Sequence, residues 1–153
     1  MSASQVSSHG EERSSTRQIY FGKEILPDHL FYPALMAADK IVMELADEKE
    51  AVYLKVQYSI DRFEVAERLL EKQDIERSVT ALTKSQKYLL SAAHDVIYLE
   101  LDSEVKTHVL AALKYQTYRS EELSTKLPAS EAAVVMQLVE ESRAIIPKLE
   151  EHN

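Results

Sequence analysis

From about residue 33 onward, apolar residues recur at steps of three and four, interrupted only by short polar stretches. That spacing lines them along one side of a 3.6-residue helix, so each stretch reads as an amphipathic helix. The first is predicted over Pro33 to Ala46, with Leu35, Ala38, Ile41, Val42 and Leu45 as one buried stripe. Pro33 suits a first helical turn, where the missing N–H has no intrahelical acceptor to lose. The second helix is predicted from an Asp47 N-cap to about Lys72. Its main stripe is Val52, Val56, Ile60, Phe63, Ala66 and Leu70, with Leu54, Tyr58, Val65 and Leu69 beside it. A stripe that wide suits a helix touching two or three neighbours.

Gln73 and Asp74 make a very short break, with Asp74 as the next N-cap, and a connection this short forces an antiparallel hairpin. The third helix, about Ile75 to Leu99, is predicted to bury Ile75, Val79, Leu82, Leu89, Ala93 and Val96, flanked by Ala81, Tyr88 and Ala92. Ser103 is the expected cap of a fourth helix carrying Val105, Val109, Ala112 and Leu113. Leu127-Pro128-Ala129-Ser130 is the last linker, with Ser130 as the expected cap of a fifth helix. That helix carries Ala132, Val135, Met136, Leu138, Val139, Ile145 and Ile146, and Pro147 is expected to kink or fray its final turn.

The region ahead of these helices differs. Residues 1–18 hold many Ser and only scattered apolar groups, too little to offset the entropy of ordering, and are expected to be a disordered tail. Ile19, Tyr20, Phe21, Ile25 and Leu26 form a short apolar cluster, expected to lie extended across the bundle. The two prolines of Ile25-Leu26-Pro27-Asp28-His29-Leu30-Phe31-Tyr32-Pro33 fix φ and remove donors, so that segment should run extended into the first helix. The expectation is one all-α domain over residues 19–150, an antiparallel helical bundle of four to five helices behind an extended N-terminal segment.

Composition sharpens this. There are two Gly, both before residue 23, and the turn signals that strands need are missing. The net charge of −8 repels nucleic acid phosphate and anionic lipid, and no Lys/Arg run opposes it, so nucleic acid is not an expected partner. The absence of Cys removes disulfides, thiolate metal sites and Cys nucleophiles. No apolar run approaches the ~18 residues of a membrane span, and Met1 to Arg17 lacks the apolar centre of a secretion signal, so stable membrane insertion is not expected.

The order of features from Ile25 to about His94 resembles the DUF5667 family, a bacterial and archaeal domain of unknown function. The residues that carry the resemblance are Ile25, Leu26, Pro27, Asp28, Tyr32, Pro33 and Leu35, then Asp39-Lys40. Ala66-Glu67-Arg68-Leu69-Leu70-Glu71-Lys72 follows, and then Ala81, Lys84, Lys87 and Tyr88-Leu89. Gln73 stands where the family usually has Gly. The resemblance covers about half the chain and implies a helical fold and an extracytoplasmic or cell-envelope setting. It implies no reaction.

Candidate chemistry is sparse. His9 and His152 lie near the chain ends and His29 in the Pro-bounded segment, where solvation or local bonding is expected. His94 and His108 fall on consecutive helices, and Glu104 stands one turn before His108; these three are the candidates for a divalent metal, against the simpler reading of a charged helix surface. The Glu-x-x-His pairs of a di-iron bundle are not present, because residues 91 and 105 are Ser91 and Val105. No nucleophile elbow or phosphate-cradling glycine loop occurs. Glu121-Glu122, Glu140-Glu141 and Glu150-Glu151 fall on outward faces. Tyrosines suit the boundary of a bundle, where the ring packs and the hydroxyl stays wet. Tyr53, Tyr98 and Tyr118 fall off the main stripes and are the candidates for binding a partner.

The chain therefore reads as a non-enzymatic structural or protein-interaction module, with a protein partner or self-association and no cofactor. The alternative is a bundle that binds a metal or a small ligand. The predicted inward positions contain no ionisable group.

Overall fold

The structure, a computed structural model, describes residues 37–41 and 46–151. Residues 37–41 are helical, and four long helices follow: α1 Glu48–Glu71, α2 Ile75–Tyr98, α3 Ser103–Ser124 and α4 Ala129–Glu151. No strand occurs among the described residues. The chain is an all-α antiparallel bundle. Short connections turn each helix back on the one before, and α2 packs against all three others while α1 meets α3 only sparsely. The expected tail over residues 1–18, the apolar cluster from Ile19 to Leu26 and the Pro-bounded segment lie outside the described residues. So do Leu35, Val42 and Leu45 of the first predicted helix. Ala38 and Ile41, expected on its buried stripe, are exposed, and the chain is already in a bend at Ala46.

Asp47 caps α1 by accepting the Glu50 N–H at 2.7 Å, and Asp74 caps α2 by accepting the Arg77 N–H. Two expected caps move. Asp102, not Ser103, accepts the Val105 N–H at 3.1 Å, because a carboxylate one residue earlier reaches the same orphan donor and leaves Ser103 as the first helical residue. At α4 the Pro128 carbonyl already accepts from Ala132, so the helix starts at Ala129 and Ser130 sits inside its first turn. Pro147 does not end α4, which continues to Glu151. Near the terminus its missing N–H leaves few intrahelical bonds downstream to disturb.

Both α1 and α2 end in a left-handed residue without glycine: Gln73 at φ 61° and Glu100 at φ 50°. Each is followed by an N–H that reaches back five residues, Asp74 to Leu69 at 2.9 Å and Leu101 to Val96 at 3.2 Å. This is the Schellman arrangement that satisfies a helix's orphan carbonyls. Gln73 thus adopts the backbone a glycine would favour.

Apolar residues form two clusters stacked along the bundle. One joins Val52, Val56, Leu89, Ala93, Val96, Val105, Val109, Leu113, Ile145 and Leu149. The other joins Phe63, Val65, Ala66, Leu69, Ala81, Leu82, Leu123 and Val135. Between them lies a buried polar layer drawn from all four helices. Ser59 on α1 donates to Gln116 Oε1 on α3 at 2.8 Å, and the Ser85 hydroxyl on α2 lies 3.0 Å from the same oxygen and 2.6 Å from the Ser59 carbonyl. Gln86 Nε2 donates to Ser120 Oγ at 2.6 Å, while the Ser142 hydroxyl of α4 lies 3.2 Å from Gln86 Oε1 and 3.0 Å from the Leu138 carbonyl. Buried hydroxyls and amides are costly unless bonded, and the layer bonds nearly all of its own.

The expectation of an interior without ionisable groups is corrected in two places. Arg62 is 1% exposed and pairs with Asp39, and Lys106 is 5% exposed. Periodicity misplaced both, because long cationic side chains can bury their stems and still be scored as polar. Burial pushes the Asp39 carboxyl above its ordinary range, against the lowering effect of the Arg62 guanidinium. Tyr58 packs edge-on against Tyr88 with centroids 5.7 Å apart, and burial, aided by the Asp39 charge, pushes its phenol up to about 12.

Candidate interaction groove

The sparse meeting of α1 and α3 leaves a groove along the bundle. Its widest part, about 600 Å³, is lined by Tyr53, Leu54, Val56 and Ile60 of α1 and by His108 of α3, with Asp47, Lys49 and Glu50 at its rim. Ile60 also lines the next hollow, about 280 Å³, together with Phe63, Glu67, Ala112 and Tyr115. Glu67 in turn belongs to a third hollow with Leu70, Arg119 and Leu123. The shared residues make one trough that follows both helices.

Helical phase explains its character. Ile60, expected on the buried stripe of α1, is 37% exposed because the core draws α1 toward α2, through Val65 and Leu69, and away from α3. Tyr115 is 63% exposed beside it. Three polar ties cross from α1 to α3 along this trough. Lys49 reaches Asp102 at 3.2 Å at one end, Ser59 reaches Gln116 in the middle, and Arg119 reaches Glu67 at 2.5 Å toward the other end. The Val105 N–H first, and then Lys49, hold the Asp102 carboxyl below the usual carboxylate range. The remaining rim is predominantly acidic, through Asp47, Glu50, Glu64 and Glu71.

Each sequence-derived candidate has a clear place. Tyr53 is half-buried, its ring 4.9 Å from that of His108 across the groove. Tyr98 is 86% exposed at the C-terminal end of α2, and Tyr118 is exposed on the outer side of α3; neither lines the groove. Tyr115 was not singled out by the sequence, although its position three residues before Tyr118 on an otherwise polar helix face was a visible signal. Glu104 and His108 are both exposed on α3, and His94 is exposed on α2. Among the described residues no group of three or more His, Asp or Glu is arranged to hold a metal ion. His108 packs on the ring of Tyr53, and the groove offers an apolar floor and a charged rim. Among the described residues no helix is long and apolar enough to cross a membrane. Glu121, Glu140 and Glu150 lie at the surface as expected, paired with Arg143 and Lys114. Comparison of the chain with family models, with curated proteins and with solved structures finds no match.

Proposed function

We propose that this protein is a non-enzymatic interaction module whose α1–α3 groove receives an amphipathic helix from a protein partner. The observation that carries the reading is the continuous trough with Ile60 and Tyr115 exposed along it, Leu54 half-buried and Phe63 buried in its floor, the shape that takes a helix by its apolar stripe. The acidic rim and the net charge of −8 favour a partner with Lys or Arg beside that stripe. The resemblance of residues 25–94 to the DUF5667 family supports an extracytoplasmic setting for that partnership.

The test is fluorescence anisotropy with a labelled helical peptide of Leu and Lys, compared with a Leu and Glu peptide of the same pattern. The Lys peptide should bind and the Glu peptide should not, and Ile60→Glu with Tyr115→Glu should abolish binding while Val134→Glu on α4 leaves it intact. Equal binding to wild type and the groove double variant would overturn the proposal. A concentration-dependent dimer in light scattering, lost in the same double variant, would replace the partner helix with a second copy of this chain.

A further inference from the structure

Histidine is the side chain whose ordinary titration falls between pH 5 and 8, and His108 is the one histidine among the described residues that line the groove. It is exposed on α3, and its imidazole lies 4.9 Å from the Tyr53 ring of α1 at 54°, so the two side chains meet across the widest part of the trough. The charged groups that face it from the α1 side are Asp47, Lys49 and Glu50. On its own helix Glu104 stands one turn earlier, and Asp102 is tied to Lys49 at 3.2 Å. Among the described residues, α2 and α4 contribute none to this part of the groove. Asp47 and Glu50 outweigh Lys49 by one charge at the rim, and a proton on His108 cancels that excess.

We infer that His108 gates the groove by pH: its neutral imidazole leaves the acidic mouth open to a cationic helix, and its protonated form closes it. This regulation rests on the docking proposed above and adds to it. Two effects act in the same direction. An imidazolium repels the Lys or Arg side chains of the docking helix and offsets the pull of the rim. The same charge is drawn to the π face of the Tyr53 ring more strongly than a neutral imidazole is, which holds the two side chains together over the entrance. Each effect is modest at an exposed site, and salt weakens the first. Together they weaken docking by about three- to tenfold. His94, exposed on α2, lines no part of the groove and has no such lever.

Fluorescence anisotropy of the labelled Leu and Lys peptide with the full-length protein tests this at about pH 8 and about pH 5.5, at constant ionic strength. In the wild type the dissociation constant should rise by about three- to tenfold on acidification. In His108→Gln, which cannot take up the proton, it should stay at both pH values within about twofold of the wild-type value at about pH 8. His108→Arg, charged throughout, should bind weakly at both, and His94→Gln should keep the wild-type pH dependence. Wild-type affinity that does not change with pH, a pH dependence that persists in His108→Gln, or tight binding by His108→Arg would each overturn the inference while leaving the docking groove in place. A peptide that binds at neither pH would sink the groove reading itself, and the regulation with it.

Discussion

Replacing Lys106 by Met removes an ammonium and keeps the length and bulk of its stem. The two residues have nearly equal helix propensity, so α3 itself is not perturbed. The buried unpartnered charge costs several kcal/mol in an ideal interior, but an adjoining cavity lets the surroundings relax, which places the recoverable part at about 1–3 kcal/mol. Taking a cation out of a helix's first turn adds roughly 0.3–1 kcal/mol. The expected gain is about 1.3–4 kcal/mol, which for a domain of this size raises the melting temperature by roughly 3–16 °C. Urea unfolding followed by far-ultraviolet circular dichroism measures it: the midpoint should rise with the slope unchanged. Lys72→Met is the matched control, because Lys72 is exposed at the C-terminal end of α1, and its loss should lower stability by no more than about 0.5 kcal/mol. An unchanged or lowered midpoint for Lys106→Met would show that the ammonium is satisfied in solution and would refute this reasoning.

Gln73→Gly and Glu100→Gly should each stabilise the bundle by about 0.5–1 kcal/mol, because glycine adopts φ 61° or 50° without a Cβ clash, and the double variant should be additive in urea midpoints. Gln86→Leu should cost about 1–2 kcal/mol through its lost bonds to Ser120 and Ser142, while Gln86→Ala, which also opens a cavity, should cost about 2–4 kcal/mol; a Leu variant more stable than wild type would refute the layer's contribution. Tyr58 holds its proton to about 12 when folded and to about 10 when unfolded. Between those values the unfolded state has released a proton that the native state keeps, so stability should fall as pH rises from about 10 to 12, and Tyr58→Phe should flatten that part of the profile.

The helices and their order were legible because periodicity reports burial directly. Val52, Val56, Phe63, Leu82, Leu89, Val105, Val109 and Val139 are all buried where the three-and-four spacing put them. Asp47 and Asp74 were legible as caps because each stands alone ahead of an apolar run, whereas Asp102-Ser103 offers two capping side chains in tandem and only geometry chooses between them. The polar layer was hidden for a different reason. Ser59, Ser85, Gln116 and Ser142 occupy core phase, each three or four residues from a buried apolar neighbour, but a hydroxyl or an amide scores as outward in any hydrophobic pattern. Ile60 failed in the opposite sense. Its spacing is correct for burial, yet the direction in which α1 leans is decided by contacts on α2 that no single-helix pattern contains.

That lean joins the core to the groove. Apolar contacts alone permit a helix to slide by a turn, since Val and Leu pack against many partners with similar energy. Hydrogen bonds between buried groups do not, because a slipped register leaves donors and acceptors stranded. Ser59 and Ser85 share one acceptor, Gln116 Oε1, so α1, α2 and α3 are pinned at a common height, and Gln86 carries the same constraint to α4 through Ser142. The Ser59–Gln116 bond also sits beneath the groove, between the Lys49–Asp102 and Arg119–Glu67 ties near its ends. The bond that keeps the two apolar clusters aligned therefore also fixes the spacing of α1 and α3. The trough is thus held open at a set width, and a helix docking as proposed would not have to bear the cost of ordering its walls.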